Sequence, residues 1–258
     1  MDNDPEDLAS DSSVHGAPRV VALSIVIPAH NEEERLPFTL SEIHRWVTRK
    51  GLPVEVIVVE NGSTDGTARI VREFSAAHPY VKLIAGVPRG KGIAVREGML
   101  AARGTHRFLC DADLSMPIDE LDKFLGPSFG EADVAIGSRE AAGSRRVGEP
   151  AYRHLMGRVY NLIVKLIALP GFEDTQCGFK MFGAEAADDV FRAARLRGWG
   201  FDPEVLYIAR KRGYRIAEVP IEWHYNGESR VRPVHDTLAM LRELVAIRRN
   251  DRHGLYDA

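Results

Sequence analysis

Residues 107–117 read RFLCDADLSMP. An apolar segment, Phe108-Leu109-Cys110, runs straight into two carboxylates, Asp111 and Asp113. A buried strand that ends in paired acids is costly, because like charges repel and desolvation penalises each. Their spacing of two lets both side chains point the same way at a strand end. A hard divalent cation relieves the repulsion. Mg2+ takes one or two carboxylates together with substrate phosphates, and Mn2+ favours the same oxygens. A lone DxD is more often a loop cap, so its surroundings decide.

Those surroundings repeat the pattern. VVALSIVIP (20–28), VEVIVVE (54–60), VKLIAG (81–86) and DVAIGS (133–138) are nearly continuous in apolar residues and rich in Val and Ile. Strands covered on both faces read this way. Helix-like segments separate the first four strands. Residues 31–51 open with acids and stop at a Gly, 63–79 open with Ser and Thr, and 90–104 end on Gly. Strand and helix alternate, which predicts an α/β fold with a Rossmann-like, mostly parallel sheet flanked by helices. Ligands bind such sheets at the carboxyl ends of the strands. Four polar loops sit at those ends: PAHNEEE, ENGSTDGT, VPRGKG and DADLSMP. Convergence on one edge marks a site. In the second half the pattern predicts a helix over 152–169, a loop PGFEDTQCGFKMF (170–182) and a helix near 184–195. A helix after Pro203, a strand RIAEVPIEWHY (215–225) and a closing helix at about 235–249 follow.

The loops differ in chemistry. In RGKG, Gly near a helix start lets backbone N–H groups approach a phosphate, and Lys91 or Arg89 can neutralise it. It is neither a Walker A loop nor a full GxGxxG, since Gly92 and Val95 fill the wrong slots. ENGSTDGT imitates an EF-hand start, but the twelfth position would be Arg72 rather than Glu, which rejects that reading. A capped turn needs only Ser63 or Thr64 and a Gly; Glu60, Asn61 and Asp65 are then surplus, and can accept hydrogen bonds from a nucleobase or ribose.

Composition narrows the class. The chain has 258 residues, is 45% hydrophobic and carries a net charge of −3, so nothing global points to nucleic acid. Cys110 and Cys177 stand alone, without a CxxC pair, which fits a reducing compartment. Residues 1–19 read as a disordered acidic tail with no secretory signal. No apolar run is long enough to span a bilayer.

Six segments in order, VIPAHNEEERL, VIVVENGSTDGT, RGKGIAVREGML, DADLSMP, AIGSR and DTQCGFKMF, resemble family 2 glycosyltransferases with the GT-A fold. DTQCGFK and WGFDPEVLYIA carry a narrower resemblance to the dolichyl/polyprenyl-phosphate β-glucosyltransferase branch, related to the polyprenyl-phosphate mannose synthases. The resemblance covers about residues 22–245. It implies a single GT-A domain over 20–250, with a nucleotide-sugar half (20–138), an acceptor half (139–250) and a C-terminal tail (251–258). It implies inverting transfer from a nucleotide-diphosphate sugar, UDP-glucose by branch, to a polyprenyl phosphate at the cytoplasmic membrane face. By position, Pro28, Ala29, Asn31, Glu32, Glu60, Asn61 and Asp65 line the nucleotide pocket, with Arg89 and Lys91 beside the phosphates. Asp111 and Asp113 hold Mg2+ or Mn2+ and the diphosphate; Ser115 stands where the mannose synthases place a further ligand. Arg139 and Arg230 match positions that meet phosphate. Gln176, Trp199 and Asp202 are motif positions on the acceptor side, Trp199 being equally readable as core and Asp202 as a cap.

An acceptor phosphate is already anionic and needs no strong base. A hydroxyl acceptor would need one, and Asp174 is the candidate, unless it merely caps the TQCGFK loop. Three rivals are therefore a soluble hydroxyl acceptor, a sugar nucleotidyltransferase and a non-catalytic membrane-binding module. The last draws on the helix 152–169. There His154, Arg158, Asn161 and Lys165 form a polar, mostly basic stripe on an otherwise apolar surface, as on an interfacial helix. Leu238, Leu241, Leu244 and Val245, with Arg248 and Arg249, form a second candidate of this kind. An ordinary half-buried helix is the alternative for both.

Overall fold

The computed structural model describes residues 21–126, 130–227 and 233–257. Three apolar runs form the parallel heart of a sheet: β1 (Leu23–Ala29), β2 (Val54–Glu60) and β4 (His106–Leu109). β3 (Val81–Ile84) extends it outward from β2, and β5 (Val134–Ser138) lies on the far side. Val26, Ile27, Val56 and Val58 are fully enclosed because helices cover both faces. One face packs on α1 (Leu36–Lys50) and α2 (Thr67–Ala77), the other on α3 (Lys91–Ala101), α5 (Ala184–Ala193) and α6 (Phe201–Lys211). Charge inside β2 is neutralised where it stands: Glu55 accepts from Ser24 Oγ (2.7 Å), Lys82 Nζ (2.6 Å) and Arg103 N (2.6 Å).

α1 starts later than the acids at 32–34 predict. Asn31 takes a left-handed φ of 54°, which halts any helix there. Pro37, with its fixed φ, then stands in the first turn.

The segment 170–182, expected as a loop, is a correction. Its last residues form β7 (Lys180–Gly183), which runs antiparallel to its neighbours in the main sheet; with β8 (Ile216–Pro220) at the edge, the strand order is β3-β2-β1-β4-β7-β5-β8. β7 wedges between β4 and β5, with Lys180 opposite both Leu109 and Ile136. Running backwards, it delivers the preceding DTQCGF loop to the carboxyl edge of its parallel neighbours. The expected strand 215–225 also divides. β8 (Ile216–Pro220) joins the main sheet, while β9 (Glu222–His224) pairs with β6 (Arg145–Val147) in a separate two-stranded sheet.

α4 (Ala151–Ile167) and α7 (Pro233–Arg252) lie side by side. α7 is a core helix: Met240, Leu244 and Ile247 are buried and Leu241 packs against them, leaving Val245 outside. The side chain of Leu238 lies outside the described residues. The expected tail 251–258 is corrected as well. Tyr256 is fully buried and donates to Glu204 Oε1 (2.6 Å), so its ring adds core area and its hydroxyl neutralises a buried acceptor. The expected tail 1–19 lies outside the described residues. Among the described residues no helix is long and apolar enough to cross a membrane.

Candidate active site

The carboxyl edge of the sheet gathers three groups of the expected residues. The first is a zipper between the loops after β1 and β2. Asn31 N donates to Ser63 Oγ (3.0 Å) and Asn31 Oδ1 accepts from Thr64 N (2.8 Å). Glu32 N donates to Thr67 Oγ1 (2.8 Å), Glu33 N to Asp65 Oδ2 (3.1 Å), and Glu33 Oε2 accepts from Gly66 N (2.7 Å). Asp65 Oδ1 also accepts from Thr67 N (3.0 Å), supporting the first turn of α2. Asn31 and Asp65 therefore spend side-chain oxygens on shaping the pocket wall. Pro28 and Ala29 close β1 beneath it. Glu60 ends β2, and Asn61 O meets His30 Nδ1 at 3.0 Å. Burial pushes the Glu60 carboxyl up, but hydrogen bonds from the backbone of Ser63 and Gly86 outweigh it and hold it below its ordinary value. It stays an ionised acceptor at the end of β2.

The second group is an alternating set of charges after β4. Lys91 Nζ meets Asp111 Oδ1 at 2.7 Å and lies over the Trp199 ring, 5.1 Å from its centroid. Lys180, fully buried, donates to Asp202 and to Cys177 O (2.5 Å). Burial raises the Asp111 carboxyl, yet Lys91, Lys180 and Arg139 together hold it below the usual range. Burial also opposes charge on Lys91, but Asp111 and Asp202 keep its ammonium firmly protonated. Asp202 goes the other way: burial pushes it up and Lys180 and Lys91 offset only part. Asp202 is thus a buried ion-pair partner rather than a helix cap, and Trp199 is the platform beneath Lys91. Lys180 was not among the expected residues. A lone Lys in the apolar run GFKMF was the signal available.

Glycines fix this geometry. A Cβ on Gly178 would lie 1.8 Å from Asp111 Oδ2, so only Gly lets the DTQCGF loop pass the carboxylate. Gly90 and Gly92 answer to packing: a Cβ there would meet Arg197 O at 2.5 Å and Leu196 O at 2.4 Å. Glu204 sets those carbonyls by accepting from Arg195 N and Leu196 N (2.9 and 2.8 Å). The glycines thus bring Lys91 into place at the start of α3. Arg89 lies on the exposed side of that loop, packed beside Gly62.

The DxD turn itself is braced. Thr39 Oγ1 donates to Ala112 O (2.6 Å), Ser115 N donates to Asp113 Oδ1 (3.0 Å), and Leu114 is held at a φ of 43°. A branched residue in that region is strained, and such strain persists only where surrounding structure enforces it. Asn226 Nδ2 donates to Ser115 Oγ (3.2 Å) and His224 N to Ser115 O (2.7 Å), so β9 supports the turn from below.

The third group lies between β5 and β7. Arg139 grips Asp174 with two parallel hydrogen bonds, and Gln176 N also donates to Asp174 Oδ1 (3.2 Å). The guanidinium stacks 5.5 Å from the centroid of Trp223. Burial raises Asp174, but Arg139 overcomes it and pulls the carboxyl down to about 2. A carboxylate this acidic is a poor proton acceptor at neutral pH, and the bond from Gln176 N fits the loop-cap alternative. Arg230 lies outside the described residues.

Among the described residues no cluster of three or more His, Cys, Asp or Glu side chains could enclose a metal ion. Asp111 and Asp113 offer hard carboxylate oxygens from one turn. They fit a cation that completes its shell with substrate phosphate and water. A shallow depression lined by His106, Asp133, Ala184 and Arg215 sits at the opposite edge of the sheet, away from these charges.

Residues 24–191 match the family described as Glycosyl transferase family 2. A dolichyl-phosphate beta-glucosyltransferase of Drosophila melanogaster is 35% identical over 240 residues, 87% of this chain and 74% of the relative. The human protein of that name is 32% identical over 88% of this chain and 74% of its own length. Among solved structures, glucosyl-3-phosphoglycerate synthase from Mycobacterium tuberculosis, in complex with Mn2+, uridine-diphosphate and phosphoglyceric acid, superposes with a TM-score of 0.66. It is 21% identical, over 90% of this chain and 78% of that one. Mannosyl-3-phosphoglycerate synthase from Rubrobacter xylanophilus gives a TM-score of 0.67 at 20% identity, over 91% and 76% of the two chains. These neighbours establish the GT-A fold.

Proposed function

The chain belongs to glycosyl transferase family 2, and from that premise we propose that it transfers glucose from UDP-glucose to a polyprenyl phosphate of the dolichyl type, with inversion at the anomeric carbon. The observation that carries this reading is the meeting of Asp111, Lys91 and Arg139 at one sheet edge. A diphosphate leaving group and a phosphate acceptor both need cations, and the paired acids need one too.

The nucleotide lies against the zipper of the β1 and β2 loops, where the Glu60 carboxylate and Asn61 offer acceptors to base and ribose. A phosphate oxygen of the acceptor bonds to the anomeric carbon as the bond to the diphosphate oxygen breaks. Negative charge grows on the departing diphosphate, and the Lys91 ammonium meets it. Asp111 and Asp113 would hold Mg2+ or Mn2+. When bound, either supplies Lewis-acid stabilisation to the same leaving oxygens. Arg139, fixed by Asp174 and flanked by Trp223, orients the acceptor phosphate. No base is required, since the nucleophile is already an anion, and this agrees with the low pKa of Asp174. Glucose follows the names of the relatives, which match over nearly nine-tenths of this chain, and UDP follows the resemblance of the sequence to that branch. The buried free thiols Cys110 and Cys177 suit a reducing, cytoplasmic setting.

The test is direct. Purified protein is incubated with a panel of labelled nucleotide sugars, with and without polyprenyl phosphate, in Mg2+ or Mn2+. Label from UDP-glucose should enter the organic phase only with the lipid phosphate. Transfer confined to soluble alcohols, or none from any donor, would refute the assignment.

A further inference from the structure

Two aromatic rings floor the Lys91 ammonium. Its Nζ stands 5.1 Å from the ring centroid of Trp199 and 5.8 Å from that of Phe201. Between them in sequence is Gly200, whose N–H donates to Glu243 Oε2 (2.7 Å). Glu243 belongs to α7, 43 residues further along and well outside the segment 24–191 that matches the family. The fit is close. A Cβ on Gly198 would lie 2.5 Å from Glu243 Oε1, and one on Gly200 2.6 Å from Glu243 Cβ. Neither glycine has a positive φ, so room for Glu243 is what the two positions require.

The same loop seats Lys91 from its other end, where Gly92 N donates to Arg197 O (3.0 Å). Residues 195–201 are therefore held by two acids: Glu204 binds Arg195 N and Leu196 N at the start, and Glu243 binds Gly200 N near the finish. Glu204 is fully buried and also joins the core through Tyr256. Glu243 is half-buried and bears on the glycines that flank Trp199. A glycine-flanked turn has little rigidity of its own, and an amide stripped of its acceptor there favours another arrangement. A cation stabilises developing charge only while it is held in place. We propose that Glu243 is a positioning residue: through Gly200 it fixes the aromatic floor that keeps the Lys91 ammonium at the leaving diphosphate. This role rests on the assignment of Lys91 to the diphosphate, and it brings the closing helix into the site. It requires an oxygen acceptor at the reach of Glu243, not its charge.

Binding of UDP and of uridine to the full chain is measured in Mg2+, for wild type, Glu243→Ala, Glu243→Asp, Glu243→Gln, Lys91→Met and the double variant Lys91→Met with Glu243→Ala. Glu243→Ala should weaken UDP binding by about tenfold or more, as expected for one hydrogen bond to a charged group. Uridine binding should stay unchanged, since base and ribose lie against the β1 and β2 loops. Glu243→Asp keeps the charge but falls short of Gly200, and should show the same UDP-selective loss. Glu243→Gln keeps the reach without the charge, and should bind UDP like wild type. The double variant should bind UDP no more weakly than Lys91→Met, because a residue that acts through Lys91 has nothing left to act on. Thermal unfolding shows which variants are folded; if Glu243→Ala is not, the Asp and Gln variants decide. Equal losses for UDP and uridine, a Gln variant as impaired as the Asp variant, or losses that multiply in the double variant would overturn the proposal. If Lys91→Met weakens UDP binding and neither Glu243→Ala nor Glu243→Asp does, the positioning role alone falls. If Lys91→Met leaves UDP binding intact, the diphosphate role of Lys91 falls and takes the positioning role with it.

Discussion

The guanidinium of Arg139 holds both carboxylate oxygens of Asp174, Nε to Oδ2 at 2.6 Å and Nη2 to Oδ1 at 2.9 Å. The pair is almost withdrawn from water, and the acid sits at about 2 instead of near its ordinary 3.8. A carboxyl lowered in the folded state stabilises above its unfolded pKa and loses that contribution as pH falls. Asp174 should therefore supply about 2 kcal/mol at neutral pH, draining away between about pH 4 and pH 2. Asp174→Asn should cost at least that much, because it leaves Arg139 charged and unmatched. Denaturant unfolding of both proteins at neutral and acid pH measures this; the gap should shrink on acidification. The variant should lose transfer while keeping UDP binding. The wild-type rate should show no acid limb from this residue between about pH 5 and pH 8.

Replacing either acid of the DxD turn removes a hard ligand from a place where no third acidic or imidazole side chain completes a cage among the described residues. Asp111→Asn and Asp113→Asn should each lower transfer by about 100-fold or more and raise the Mg2+ or Mn2+ concentration needed for half-maximal rate. Metal titrations of initial rate decide. Full activity at unchanged metal demand would remove these residues from the metal role.

Gly178→Ala tests the close approach of the DTQCGF loop. A methyl group 1.8 Å from a carboxylate oxygen forces Asp111 or the loop to move. Loss of stability of about 1–3 kcal/mol is expected, the usual range for overpacking. Transfer should fall as far as in Asp111→Asn. Calorimetric melting with activity in parallel checks both, and an active variant would show that Asp111 need not occupy this position.

Lys180 lies wholly inside the protein against Asp202. Lys180→Met strands the acid in a dry environment and should destabilise by about 3–5 kcal/mol, whereas Lys180→Met with Asp202→Leu should recover most of the loss. If Lys180 also helps keep Asp111 ionised, the double variant will be stable and still slow, with a raised acid limb in its pH–rate profile. A stable, fully active double variant would make the pair purely architectural.

The first half of the fold was legible because its strands are long, apolar and separated by helices with Gly and Pro punctuation. The placement of Asp111 and Glu60 was legible for a related reason: they end apolar runs where a parallel sheet opens. β7 escaped because four residues behind a Gly carry no periodicity, and its direction depends on partners far away in sequence. Asp174 stayed open between base and loop cap for the same cause. An acid's basicity depends on its neighbour, and Arg139 is 35 residues distant. Tyr256 looked like part of a tail because its burial rests on Glu204, and nothing local announces that contact.

The antiparallel strand has a temporal meaning too. β5 has no hydrogen-bonding neighbour in the main sheet except β7 and β8, both later in the chain. Once residues 134–138 have left the ribosome, at least forty more must follow before that strand can pair. The nucleotide-side layers can assemble early from local βαβ units, whereas closing the sheet waits on contacts of large sequence separation, the slow class in folding. Until β7 arrives, the β4 edge stays open beside Asp111, so the order of synthesis dictates that the catalytic edge is completed last.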